Sequence, residues 1–520
     1  MSVNRRIAFG VGASWFSRSV AIILALAVFP VLFGHLPKEE LGVWLLLGQS
    51  WVAMGILDFG LGVTLTRRIA LAKGKSGADP DAPLTSESVK EIADLIASGR
   101  RIYYVMSAGI FLLSSAAGFY YLRNLQLQEL SHTTVWVAWI ILCASQALNL
   151  LAVIWDCLLL GVGYVGWDAL VASLASATTL AAQIVAVFLG GRLVALACTA
   201  AAGAVGQRFV TRWIARRRRP ELFALRGRWN PKILRGLPST AFRAWLTALG
   251  TTLVFATDQF FIAATNGAAK IPAFRAAYVL VHNVTVLAVT FGLASSVFIS
   301  HYWQAGDVSA VQKLVERNAR LGLLVMLAAC AFLLTIGQPL FELWLGPGNF
   351  IGYPILAVFL VYETLEAHSY IISTSSRATD DEAFGFSSLA AGLLKIGLAF
   401  VLIHRFGLLG LALATMLALL LTNHWYTVFR GLKRLQLPLL QYGKDVVLPC
   451  LLWSGGSLML SYAVSGLLRD APTYVTVAGV AGACGIAFVT ALIYLLLTRE
   501  ERVGLRGRFS ALVMRLLPAR

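Results

Sequence analysis

A small set of ionisable residues lies inside long apolar runs of this chain: Arg18, Asp58, Arg243, Asp258, Glu363, Glu366 and Lys395. A charge in hydrocarbon is expensive, so such residues pair, face protein, or line a hydrated path. Arg18 and Arg243 each fall about eight residues, or about 12 Å, into their runs at a helical rise of about 1.5 Å per residue. A guanidinium is always charged and can grip a phosphate-type anion through two parallel N–H bonds. An arginine at such a depth can also snorkel or pair with a nearby acid. Asp58 has a similar depth and is the expected partner of Arg18, either as a gate competing with an anion or, preferably, as a static ion pair or helix-end cap. Glu363 and Glu366 are one turn apart and share a face. Lys395 falls at nearly the same depth in the next run, so a Lys–Glu pair is expected. Two acids for one base leave one glutamate to bind a proton or sodium; the competing reading is a hydrogen-bonded network with His368 and Tyr362. Asp258, near the far end of its run, reads as an ion site or, preferably, a solvated helix end. Asp156 and Asp168 flank a tight turn and read as helix caps.

The elements that must hold these residues are transmembrane helices. Of the 520 residues, 58% are hydrophobic and 13% charged, too few charges to cover a soluble protein of this size. Runs of about 20 apolar residues recur along the chain, the length that crosses a bilayer core. Helices satisfy their own backbone there, and the alternation of a β-barrel is absent. The expected spans are 10–33, 42–64, 102–122, 135–160, 168–190, 193–213, 237–262, 273–299, 319–337, 353–376, 384–404, 408–428, 446–466 and 474–497. The first carries Ala25-Leu26-Ala27, a loose signal-peptidase match, inside a run that continues past it, and reads as an uncleaved span.

Most of the 43 Lys and Arg residues fall on one side of this arrangement, which makes that side, with both termini, cytoplasmic. The net charge of +18 is therefore an orientation signal, and no soluble basic domain exists to bind nucleic acid. The segment 65–101 holds a Gly/Pro/Asp-rich stretch, Lys73 to Pro83, then an interfacial helix with Ser88 and Glu91 as a capping box and Gly99 as its stop. The segment 214–236 carries Arg216 to Arg219, then Arg226, Arg228, Lys232 and Arg235. Such a run fixes orientation and attracts anionic headgroups. Leu505, Phe509, Leu512, Val513 and Leu516 among arginines read as an amphipathic helix on the inner leaflet. The six cysteines lie in or beside apolar runs without CxxC spacing and read as small hydrophobes, with no metal site or disulfide framework.

A weak internal repeat relates the halves. Leu57-Asp58-Phe59-Gly60-Leu61-Gly62 ends the second span and Val289-Thr290-Phe291-Gly292-Leu293-Ala294 the eighth; Phe16-Ser17-Arg18 in the first answers Ala241-Phe242-Arg243 in the seventh. Six spans apart means equal orientation, a parallel repeat about the membrane normal. The expected layout is an N-terminal lobe 1–213, a basic linker 214–236, a C-terminal lobe 237–428, and two extra spans with a basic tail over 429–520. The fold class is thus all-α and polytopic, two pseudo-symmetric six-helix lobes plus two C-terminal helices.

Leu36-Pro37-Lys38-Glu39-Glu40-Leu41-Gly42-Val43-Trp44, then Asp58-Phe59-Gly60-Leu61-Gly62, resembles the start of Wzx-type polysaccharide exporters of the multidrug/oligosaccharidyl-lipid/polysaccharide (MOP) superfamily. Gly337-Gln338-Pro339-Leu340-Phe341-Glu342-Leu343-Trp344-Leu345-Gly346 fits the same resemblance. The resemblance implies two lobes in a V around a cavity. It implies a flippase moving undecaprenyl-pyrophosphate-linked oligosaccharide from the cytoplasmic to the periplasmic leaflet of a bacterial inner membrane, for O-antigen, capsule or exopolysaccharide assembly. Alternating access, coupled to protons or sodium, belongs to the same implication, as do a polysaccharide polymerase and a chain-length regulator as partners. Arg18 and Arg243 would then hold the pyrophosphate, Asp58 would gate or pair, and Glu363, Glu366 or Asp258 would bind the coupling ion. Trp15, Trp51, Trp245 and Tyr278 could contact sugar rings, although membrane tryptophans commonly pack or sit at interfaces.

No cofactor is implied. Walker A, HExxH, GxSxG and CxxC patterns are absent. An ion-coupled drug or metabolite exporter of the same superfamily is the first alternative; a membrane polymerase or ligase, which would expose paired carboxylates on a sizeable loop, is the second.

Overall fold

The computed structural model describes residue 20 and residues 22–76, 81–225, 227–229, 239–381 and 383–497. Within them the chain is helical and free of strands: α1 Ile22–His35, α2 Lys38–Met54, α3 Leu61–Gly74, α4 Ser86–Arg123, α5 His132–Val162, α6 Val165–Phe188 and α7 Leu193–Arg218. Then come α8 Ser239–Phe255, α9 Asp258–Thr265, α10 Ile271–Gln304, α11 Val308–Leu345, α12 Tyr353–Arg377, α13 Gly385–Arg434, α14 Leu439–Leu467 and α15 Thr473–Leu495. Among the described residues twelve helices are long and apolar enough to cross a membrane, so the protein is an all-helical polytopic membrane protein. The fourteen expected spans map onto these: α13 carries two of them, broken at Gly407 (φ 57°, ψ −136°), a conformation glycine adopts freely. The first span falls mostly outside the described residues, with α1 its described part. The cationic C-terminal segment also lies outside them.

Local chemistry moves several boundaries. The second span ends at Asp58 rather than near residue 64, because Phe59 (φ 52°) and Gly60 (φ 73°) are left-handed and start α3 afresh. The Thr85 hydroxyl, not Ser88, caps α4, accepting the Ser88 N–H at 3.3 Å. Glu91, expected in that box, holds Lys75 at 2.7 Å. Gly99 does not stop the helix: it is buried where a Cβ would stand 2.8 Å from Ile154 Cδ1 and 3.0 Å from Leu65 Cδ1, so α3, α4 and α5 approach closely. The interfacial helix and third span are one 38-residue helix. In α11, Ile336 leaves the helical region just before Pro339, whose missing N–H and ring break the ladder.

The described parts of Met1–Arg275 and Ser388–Leu411 form one compact unit; those of Ala276–Ser387 and Ala412–Arg520 form the other. In the first unit, Glu39 and Glu40 are buried anchors. Glu39 accepts the Gln128 and Glu129 N–H groups at 2.8 and 2.9 Å; Glu40 accepts the Leu193 N–H at 2.7 Å and pairs with Arg192 at 3.1 Å. Gly42 lets α2 lie against the Ala268 carbonyl, where a Cβ would come within 1.9 Å. The start of α13 joins this unit through glycines: a Cβ on Gly250 would meet the Ser388 carbonyl carbon at 2.2 Å, and one on Gly392 the Leu253 Cβ at 2.7 Å. The second unit packs Val311, Val315 and Ile372 with Leu432, Tyr442, Cys450 and Ala491.

Candidate functional site

The chain stops α8 at Phe255 and restarts at Asp258, the first residue of α9, where a carboxylate suits the positive helix end. Asp258 Oδ1 lies 2.6 Å from Lys395 Nζ of α13, which also donates to Thr257 Oγ1 at 2.5 Å and stands 5.2 Å over the Phe261 ring. The Lys395 side chain is 0% exposed and that of Asp258 10%. Two sequence expectations are corrected here. Lys395 takes Asp258 as its partner instead of Glu363 or Glu366, and Asp258 is not a solvated helix end. Depth along a helix gives height but not azimuth, and the glycine contact of α8 with α13 turns Lys395 toward Asp258.

Asp58 caps α3. Its Oδ2 accepts the Gly62 N–H at 2.9 Å and its Oδ1 accepts the Tyr103 hydroxyl at 2.8 Å. Arg18 lies outside the described residues, and Arg243 falls on α8 with its side chain outside them, so this part of the candidate site rests on Asp58 alone. Asp156 is not a cap: it forms an ion pair with Arg208 of α7, whose Nε also donates to Asn149 Oδ1 at 2.5 Å. Asp168 stands in the first turn of α6. Trp245 donates its indole N–H to the Ile56 carbonyl at 2.9 Å and packs on Phe59, a structural contact.

Outside the spans, the Tyr164 phenol between α5 and α6 is pushed up to about 12, first by burial and then by its 2.7 Å bond to Asp81.

In the second unit, Glu363 of α12 is 1% exposed and both its oxygens lie 3.3 Å from His282 Nδ1 of α10. The His282 side chain is 44% exposed and stacks on Tyr278, with ring centroids 5.2 Å apart. Glu366, one turn along α12, is partly buried. The expected network takes another shape: His368 Nε2 shares a 2.8 Å hydrogen bond with the Tyr442 hydroxyl. Thus a buried carboxylate reaches a half-exposed imidazole, an arrangement that can hold and pass a proton or bind a small cation. His282, Tyr103 and Arg208 are the polar partners that sequence reasoning missed. The available signals were His282 one turn after Tyr278, and Arg208 one turn before Arg212 in the stretch of α7 that follows its apolar first half.

No protein-family model and no curated protein matches the chain. Solved structures do. A lipid II flippase, MurJ, in an inward closed conformation superposes with a TM-score of 0.69 at 15% identity, over 94% of this chain and 99% of that one. An inward-facing multidrug resistance MATE family transporter of the MOP superfamily gives 0.60 at 15%, over 80% and 94%. A MOP superfamily transporter from Pyrococcus furiosus, described by the reversed polarity of its binding pocket, gives 0.55 at 15%, over 83% and 95%. With its helices accounted for at this level of agreement, the chain has the fold of the MOP-superfamily transporters.

Proposed function

We propose that the protein is a flippase for a lipid-linked anion, a polyprenyl-pyrophosphate-linked oligosaccharide, moving it from the cytoplasmic to the periplasmic leaflet by alternating access. The observation that carries this reading is one of extent. The lipid II flippase superposes on 94% of the chain, whereas the first two MOP transporters beside it cover 80% and 83%. The residue types support it: Arg18 and Arg243 fall in apolar runs of the sequence and carry a permanent positive charge of the kind a pyrophosphate needs. The finer resemblance to Wzx-type exporters rests on the motifs around Leu36–Trp44 and Asp58–Gly62.

In this reading Glu363 is the residue that couples transport to an ion gradient. Asp258 already holds a tethered ammonium, while the ion-pair partner of Glu363 among the described residues is an imidazole, whose charge depends on pH.

The test is the lipid-linked oligosaccharide pool of cells lacking the protein. One complete repeat unit should accumulate on its polyprenyl pyrophosphate while the surface polymer is lost. Complementation with Arg18→Ala or Arg243→Ala should leave the protein in the membrane and fail to restore export. A normal pool with intact polymer would favour the second reading, an ion-coupled drug or metabolite exporter, which the likeness to a multidrug MATE transporter keeps in view.

A further inference from the structure

Between α4, α5 and α7 of the first unit lies a cavity of about 190 Å³ whose lining includes Arg100, Arg208, Arg212 and Trp155. Arg208 and Arg212 are four residues apart on α7 and share a face. The Arg208 charge is balanced by Asp156. Arg100 and Arg212 have no acidic partner among the described residues, so the cavity carries about two uncompensated guanidinium charges. Arg212 is held in place by stacking: its guanidinium lies 5.2 Å over Trp155, which in turn stacks on Phe223 at 5.0 Å. Leu148 and Phe209 complete the lining and are exposed, giving the cavity an apolar lip. Arg212 stands about 9 Å from the end of α7, the end that runs into Arg216–Arg219, which is headgroup depth for a spanning helix.

Two guanidinium cations at headgroup level, one of them held by stacking on Trp155, beside an exposed apolar lip match one ligand chemistry, a phosphate ester carrying an acyl chain. We propose that this cavity binds the phosphate of an anionic membrane lipid as a resident ligand, with Arg100 and Arg212 holding the phosphate, Arg208 positioned beneath it by Asp156 and Asn149, and the chain lying over Leu148 and Phe209. This site is distinct from Arg18 and Arg243 and stands whatever the transported cargo proves to be.

The experiment titrates the purified full-length protein in neutral detergent with phosphatidylglycerol, phosphatidylcholine or inorganic phosphate, reading bound lipid by native mass spectrometry and stability by thermal unfolding. Phosphatidylglycerol should bind and raise the unfolding midpoint, with little effect from the other two. Arg100→Gln/Arg212→Gln, both exposed positions, should lower that affinity by more than about tenfold, as expected for two charge-assisted contacts. Arg216→Gln/Arg217→Gln, which removes the same charge from the headgroup-attracting run outside the cavity, should lower it by less than about twofold. Equal binding of phosphatidylglycerol and phosphatidylcholine, or undiminished affinity in the cavity variant, overturns the site. Equal loss in both double variants would assign the effect to bulk charge and also overturn it. Saturation by inorganic phosphate alone overturns the lipid.

Discussion

At the scale of single residues, the buried charges divide into those already satisfied and those left with a variable partner. Lys395 and Asp258 are satisfied by one another. Lys395→Met leaves a buried carboxylate without its cation and should destabilise the protein by about 3–5 kcal/mol. Lys395→Met/Asp258→Leu should recover most of that loss, since a buried pair replaced whole by apolar groups is often near neutral. Thermal unfolding in detergent checks both; a double variant as weak as the single one would show that Asp258 does more than answer Lys395. Glu363 has the variable partner, His282. Glu363→Gln should leave folding near wild type yet remove the dependence of transport on the ion gradient, measured in vesicles with and without an imposed pH or sodium difference. The sequence announced which residues were anomalous, because charge in an apolar run is visible by inspection. It did not announce who pairs with whom. His282 lay hidden because one imidazole in a helix is unremarkable until a buried carboxylate is found beside it.

At the scale of elements, turns and close approaches decide where the anomalous residues end up. The Asp58-Phe59-Gly60 break works through backbone conformation and a cap. Asp58→Ala removes the acceptor for Gly62 and for Tyr103 and should cost about 1–3 kcal/mol. Asp58→Asn, which still offers an oxygen, should cost less; the ranking is read from unfolding midpoints. Gly250 makes a second prediction. A methyl there would stand 2.2–2.5 Å from the Ser388 and Leu389 backbone, so Gly250→Ala should destabilise by about 1–3 kcal/mol, and Gly250→Val by more. Span positions were legible from hydropathy alone, since lipid as solvent demands long apolar helices. Their ends were less so: capping shifts by a few residues, and Gly99 serves a close helix crossing in a place where a glycine usually reads as a stop.

At the scale of the whole molecule, the charge bias along the chain predicts orientation. A membrane-impermeant thiol reagent applied to intact cells should label Asp470→Cys, between α14 and α15, and leave Leu225→Cys, beyond α7, untouched until the membrane is opened. Labelling of Leu225→Cys from outside would invert the topology. The fold itself was legible because the order of spans is a coarse property, and the helices superpose on solved transporters at 15% identity. One buried contact also bears on the electrical behaviour of the whole. The membrane potential does work on net charge, about 2.3 kcal/mol per charge per 100 mV. An ammonium and a carboxylate 2.6 Å apart on tethered side chains have no net charge, only a short dipole. Any shift of α8, α9 and α13 that carries the Lys395–Asp258 pair along therefore moves almost no net charge through the membrane field.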